Sequence, residues 1–185
     1  MRDDAWSYVG IDETNHGRYP EIFVAAYSNN QKDVLTASNP VYAKKRHSHK
    51  GLPAKLTHRG YSFVIITRDL LEAYSEEEIF GAVISSLIAP IREPNPLEIH
   101  IDGDISPKKE EQMFRYLDER SRMKGRKIIW GPKLDMRTPL VNLADETACW
   151  LFHKSLEKLT ENPHEVMLSL LNQKINAPPR LKNLN

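Results

Sequence analysis

Two apolar and aromatic segments open the chain, Trp6 to Ile11 (W-S-Y-V-G-I) and Glu21 to Ser28 (E-I-F-V-A-A-Y-S), with the polar stretch Thr14 to Pro20 between them. β-forming residues on both sides of a turn-rich stretch predict a hairpin. A third such segment, Tyr61 to Arg68, follows a long polar insertion from about Asn29 to Gly60. The period then changes. Ser75 and Glu78 have capping-box spacing, and Ile79, Ala82, Val83 and Leu87 recur at helical intervals until Pro90, which predicts a first helix. Leu97, Ile99 and Ile101 alternate with Glu98, His100 and Asp102 and stop at Gly103, the pattern of a half-buried fourth strand. Ser106-Pro107 starts a second helix with Met113, Phe114 and Leu117 on its inner face, ending before Gly125. Lys127 to Trp130 is a short fifth strand, and Thr138-Pro139 opens a third helix carrying Val141, Ala144, Ala148, Leu151, Phe152 and Leu159. A weaker helix is expected over His164 to Lys174, with a fraying tail from Ala177 through Pro178-Pro179.

The order is β-β-β-α-β-α-β-α, and late strands separated by helices call for right-handed parallel crossovers. A mixed α/β sheet with helices on its faces is the expected class. At 185 residues the chain fits one domain, taken as residues 1–162 with the insertion at about 29–60, followed by a C-terminal helix and flexible tail over 163–185. Composition excludes a disordered, collagenous or low-complexity chain, being 40% hydrophobic and 28% charged with only 8 glycines. The lone Cys149 cannot form an internal disulfide, and no apolar run follows Met1-Arg2-Asp3-Asp4. The early apolar stretch Ile22 to Tyr27 is far shorter than the roughly 20 residues of a bilayer span. A cytoplasmic, non-membrane protein is expected.

Charge is balanced overall, with 26 Lys plus Arg against 25 Asp plus Glu, so only local clustering is informative. Acids fall at element ends: Asp12-Glu13 at the end of the first strand, Asp102 at the end of the fourth, and Asp145 about two turns into the third helix. Acids at strand ends are common where a chain meets water, and Asp102-Gly103 taken alone is ordinary turn chemistry. Four carboxylates brought together without cations would repel one another, so convergence would be easiest to explain by bound metal.

The element order from about Trp6 to Leu159 resembles the ribonuclease H-like fold, which implies a five-stranded sheet of order 3-2-1-4-5 with strand 2 antiparallel. The stretch Gly10-Ile11-Asp12-Glu13, with Gly17 behind it, is similar to the opening of type 2 ribonuclease H, and Ile101-Asp102-Gly103 resembles that family's aspartate-glycine on strand four. Leu143-Ala144-Asp145 with Ala148 resembles a helix motif of nuclease-like relatives. The resemblance implies that Asp12, Glu13, Asp102 and Asp145 are catalytic residues and ligands of Mg²⁺ or Mn²⁺, with Asp12 bridging paired ions, and that phosphodiester hydrolysis leaves a 5′-phosphate and a 3′-hydroxyl. The family's alanine-glycine-arginine-glycine turn is here Thr14-Asn15-His16-Gly17, so metal chemistry carries over better than ribose 2′-hydroxyl recognition.

Asp104 and Glu146 are alternates that read as surface acids, His100 reads as a packed histidine rather than a hydrogen-bond donor to a metal-binding carboxylate, and Cys149 reads as a small apolar residue rather than a nucleophile. The insertion contains Lys44, Lys45, Arg46, Lys50, Lys55 and Arg59 without an acid between Ala43 and Arg59, together with His47, His49 and His58. It reads either as a phosphate grip or as a solvated loop, and the histidines lack the partners of a tetrahedral zinc site. Trp6, Tyr8 and Trp130 read as core residues before base-stacking platforms. The expected function is a metal-dependent nuclease acting on RNA, an RNA–DNA hybrid or structured DNA. The alternatives are a non-catalytic nucleic-acid-binding or scaffold protein of the same fold, and a structural oligomer that meets a protein partner through the basic loop and tail.

Overall fold

The computed structural model describes residues 6–14, 21–42, 61–66, 74–88, 98–118 and 127–159. Five strands, β1 (Tyr8–Thr14), β2 (Glu21–Ser28), β3 (Tyr61–Ile66), β4 (Glu98–Asp102) and β5 (Lys127–Gly131), form one sheet of order β3-β2-β1-β4-β5. β1, β2 and β3 are antiparallel neighbours, whereas β4 pairs parallel with both β1 and β5. Among the described residues three helices, α1 (Glu76–Ile88), α2 (Pro107–Asp118) and α3 (Pro139–Leu159), alternate with the later strands as the crossovers require.

Alternation along the strands sends side chains to two cores. Val9, Ile11, Phe23, Ala25, Tyr27, Ile99 and Ile101 face α1 and α2, where Ile79, Val83, Leu87, Met113 and Leu117 close over them. Ile22, Val24, Ala26 and Phe63 face α3 and pack on Leu140, Leu143, Ala144, Ala148 and Leu151. β2 is buried on both faces, which is why its sequence is almost continuously apolar instead of alternating. Phe114 departs from expectation. Met113 and Leu117 are buried, but Phe114 is 38% exposed, because one residue of helix turns a side chain about 100° away from its neighbour.

The helix starts follow local chemistry. Ser75 and Glu78 satisfy each other's backbone N–H groups at 3.2 and 3.0 Å, and Ser106 Oγ accepts from the Lys109 N–H at 3.3 Å. Thr138 differs: its hydroxyl is bonded to that of Thr36 at 2.9 Å, which ties the start of α3 to the segment after β2. That segment is part of the expected polar insertion, and its beginning is ordered by hydrogen bonds. Asn30 caps a 3-10 turn at Gln31–Val34, Ser28 donates to the buried Asp33 carboxylate, and the N–H groups of Ala37, Val41 and Tyr42 donate to the carbonyls of Arg137 and Met136 at 2.9 to 3.0 Å. The rest of the insertion from residue 43 and the expected C-terminal helix and tail over 163–185 lie outside the described residues. Among those described, no helix is long and apolar enough to cross a membrane.

The helix α3 lies directly on β1 at Gly10. A Cβ at this position would stand 2.5 Å from the Leu140 carbonyl carbon and 2.6 Å from the Val141 nitrogen, both backbone atoms that no rotamer change can move. Gly10→Ala is therefore expected to lower unfolding stability by about 3 kcal/mol through overpacking, read as a lower denaturant midpoint with an unchanged slope.

Candidate active site

β1 and β4 run parallel with Gly10 opposite His100 and Ile11 opposite Ile101. One residue further on, the strands place Asp12 beside Asp102, and the period of two puts both on the face that α3 covers at Gly10. The third contribution comes from α3. Ala144 and Ala148 are buried against the sheet, and the half-buried Asp145 between them is carried toward the ends of the strands.

Asp12 is the centre of this arrangement. It is 3% exposed, and its carboxyl is held well above the usual carboxylate range, first by burial and then by the charges of Glu13, Asp145 and Asp102 in that order. The Glu13 backbone N–H opposes the shift by donating to Asp12 Oδ1 at 2.7 Å. The structure thus brings Asp12, Glu13, Asp102 and Asp145, from three separate elements, into one electrostatic neighbourhood. Among the described residues, however, no group of three or more His, Cys, Asp or Glu is gathered closely enough to hold a metal ion. The donor chemistry suits a hard divalent cation, since all four side chains offer carboxylate oxygens. A closed ligand shell would need their side chains to draw together.

Asp102 has a partner that the sequence pattern hides. Its Oδ1 accepts the N–H of Asp135 at 3.2 Å, and Asp135 is itself only 5% exposed. Asp135 lies in the turn Pro132–Thr138, where an acid shortly after Pro132-Lys133 reads simply as a turn former; its one sequence signal is its position just after the strand beside Asp102. The turn is braced. Met136, Arg137 and Thr138 donate to the carbonyls of Lys133 and Leu134, the Leu134 side chain is buried, and Arg137 donates to the carbonyls of Pro132 and Lys133 at 3.2 and 3.4 Å. Lys133 has φ 62°, a left-handed conformation unusual for a residue with a side chain.

The remaining candidates fall elsewhere. His100 is 1% exposed and turns to Glu98, whose carboxylate accepts from Nε2 at 2.7 Å and from Lys127 at 3.5 Å. Burial lowers its pKa against the opposing pull of Glu98, and among the described residues Nδ1 has no hydrogen-bond partner. The Cys149 thiol is pushed up to about 11 by burial and by Asp145, so it is not a thiolate nucleophile. Asp104 is exposed, and neither it nor Glu146 is among the charges acting on Asp12. Trp6 stacks on Tyr27 at 6.1 Å, and Trp130 and Tyr8 pack against the two cores. Lys44, Lys45, Arg46, Lys50, Lys55 and Arg59, and the turn Asn15-His16-Gly17, lie outside the described residues.

The raised pKa of Asp12 carries a stability consequence. Between the ordinary carboxylate range and the raised value, the folded protein binds a proton that the unfolded chain releases, so this group's contribution to stability falls as pH rises through that window. In metal-free buffer, Asp12→Asn is expected to raise the melting temperature by a few degrees at neutral pH. The gain should vanish below the ordinary aspartate range, as melting curves recorded across pH will show.

No protein-family model matches the chain, and no curated protein matches its sequence. Among solved structures it is similar to the ribonuclease HII of Archaeoglobus fulgidus, solved in complex with PCNA, with a TM-score of 0.59 at 17% identity over 96% of this chain and 86% of that one. The mixed sheet of order 3-2-1-4-5, with the three helices of the described residues, is a ribonuclease H-like fold.

Proposed function

We propose that the protein is a divalent-cation-dependent nuclease that hydrolyses phosphodiester bonds in RNA, an RNA–DNA hybrid or structured DNA, with Asp12, Glu13, Asp102 and Asp145 as its catalytic side chains. The observation that carries this reading is the burial of Asp12 within the field of three other carboxyl groups. Such repulsion lowers the stability of the fold and persists where a site has a use for concentrated negative charge. The similarity to a ribonuclease HII structure supports a nuclease-like architecture for this use.

In this reading Asp12 stands at the centre of the ligand set, Asp102 and Glu13 complete one side, and Asp145 serves the other. When bound, Mg²⁺ or Mn²⁺ supplies Lewis-acid polarisation of a phosphoryl oxygen and a water acidic enough to attack at neutral pH. The chain's own groups orient the carboxylates. The Glu13 N–H fixes one Asp12 oxygen, the Asp135 N–H fixes one Asp102 oxygen, and α3 keeps bulk water from the sheet face beneath Asp12. No protein nucleophile is needed, consistent with a Cys149 thiol that stays protonated. Lys44, Lys45, Arg46, Lys50, Lys55 and Arg59 serve as the phosphate grip.

The looseness of the carboxylate group favours one second reading, a nucleic-acid-binding protein that keeps the fold without turnover. Mn²⁺ separates the two. At a concentration near 100 times its dissociation constant it should stabilise the folded protein by about 2.7 kcal/mol, and Asp12→Asn or Asp145→Asn should abolish both the shift and cleavage of a panel of hybrids, branched DNA and single strands. Binding to the panel without a metal shift or cleavage assigns the second reading. Combined Lys44→Ala, Lys45→Ala and Arg46→Ala should lower the slope of log affinity against log salt by about 2 to 3 on duplex DNA, as loss of that many phosphate contacts requires.

A further inference from the structure

The Asp135 N–H holds the Asp102 carboxylate only while the turn Pro132–Thr138 keeps its shape. That shape carries strain. Lys133 sits at φ 62°, a region uncommon for a residue with a side chain, and surrounding contacts must hold it there. Some of these contacts are internal, between the carbonyls of residues 132 to 134 and the donors of residues 136 to 138. Others come from the segment after β2, through Thr36, 102 residues before Thr138.

That segment starts at the other end of the sheet. β2 runs antiparallel to β1, so its last residue, Ser28, pairs with Tyr8 at the start of β1, whereas Asp12 lies near that strand's end. Its root is fixed there. Ser28 donates to the buried Asp33 carboxylate, the Asn30 N–H donates to Ser28 Oγ at 3.0 Å, and Val34 packs into the second core with α3. From this root the Thr36 hydroxyl meets that of Thr138 at 2.9 Å, and the N–H groups of Ala37, Val41 and Tyr42 donate to the carbonyls of Arg137 and Met136. These bonds grip the three residues that follow Asp135. Only the Thr36–Thr138 bond joins two side chains, so a substitution can remove it without touching the backbone donors.

We infer that Thr36 is a positioning residue for the cation site: through Thr138 it keeps the turn in the shape that aims the Asp135 N–H at Asp102, and so sets where one carboxylate oxygen stands when Mg²⁺ or Mn²⁺ binds. The inference rests on the nuclease reading and adds to it a residue outside the acidic group. Asp102 needs a restraint because its charge opposes the ionisation of Asp12, and the same repulsion acts back on its own carboxylate. A hydrogen bond from a fixed N–H to an ionised oxygen counters that push. Thr36 is exposed and Thr138 fully buried, so loss of the Thr36 hydroxyl leaves a buried hydroxyl in need of another partner and loosens this end of the turn.

The test compares the full chain with Thr36→Val, which keeps the shape and removes the hydroxyl, and with Thr36→Ser, which keeps the hydroxyl. Mn²⁺ affinity is measured by titration calorimetry at a temperature where each variant is folded, and the Asp135 amide is followed in two-dimensional ¹H–¹⁵N NMR. Thr36→Val should weaken Mn²⁺ binding about fivefold, less than the roughly tenfold or more that follows removal of a group bonded directly to a metal ligand, and Thr36→Ser should restore it. In the metal-free protein the Asp135 amide resonance should move in Thr36→Val toward its position in Asp102→Asn, and stay at the parent position in Thr36→Ser. A brace with no bearing on the site lowers the melting temperature but leaves both the Mn²⁺ affinity and that resonance in place, a result that overturns the inference. A change in one readout without the other overturns it as well. If the parent binds Mn²⁺ and Thr36→Val binds it equally, only the positioning role falls; if the parent binds none, the cation-dependent reading falls and takes the positioning role with it. Should Thr36→Val not fold, Thr138→Val removes the same bond from the other side and is judged by the same two readouts.

Discussion

The contact between α3 and β1 at Gly10 is the constraint on which the rest of the architecture depends. With hydrogen in place of a side chain, the start of the helix settles onto the strand backbone, and Leu140 and Val141 occupy the volume that a Cβ would need. This close seating carries Asp145, one and a half turns further along α3, toward the end of β1. It also covers the sheet face on which Asp12 lies. The same contact that closes the second hydrophobic core therefore buries a carboxyl group and brings another to it.

The acids gather at one end of the sheet because of strand direction. β1, β4 and β5 are parallel, so their carboxyl ends lie together at one edge of the sheet. Ligand sites in open α/β sheets form at this kind of edge because the chain departs there to opposite faces and leaves a crevice. In this protein β1 supplies Asp12 and Glu13, β4 supplies Asp102, and the turn after β5 adds the Asp135 N–H. The segment following β2 then hydrogen-bonds to the carbonyls of Met136 and Arg137, so a part of the chain distant in sequence braces the turn that orients Asp102. The site is supported from behind by rigid elements, which suits carboxylates that repel one another.

Electrostatics and packing pull in opposite directions here. Packing favours an apolar side chain under α3, whereas position 12 holds an acid whose ionisation is opposed by burial and by three neighbours. His100, on the same face of the adjacent strand, resolves a similar conflict in another way: burial lowers its pKa and one ring nitrogen pairs with Glu98. The first arrangement crowds acids around a buried carboxyl, while the second pairs its acid with a hydrogen-bond donor.

Much of the fold was legible along the chain, because its signals are local. The Ser75–Glu78 capping box, the Ser106-Pro107 start and the alternation of Glu98 to Asp102 each depend on a few neighbouring residues, and each marks its element correctly. Phe114 was misread because it lies about 100° around α2 from Met113 and falls outside the stripe that Met113 and Leu117 bury. The positions of the four acids could likewise be read, but the field they create at Asp12 could not. That field depends on the register of β4 against β1 and on the depth at which α3 sits, both set by contacts between residues far apart in sequence. Asp135 was invisible for the same reason, since an acid in a turn looks ordinary until parallel pairing sets that turn beside Asp102. Local chemistry decides which segments become strands and helices and where acids occur, whereas burial and mutual repulsion exist only once long-range packing has removed water from between those acids.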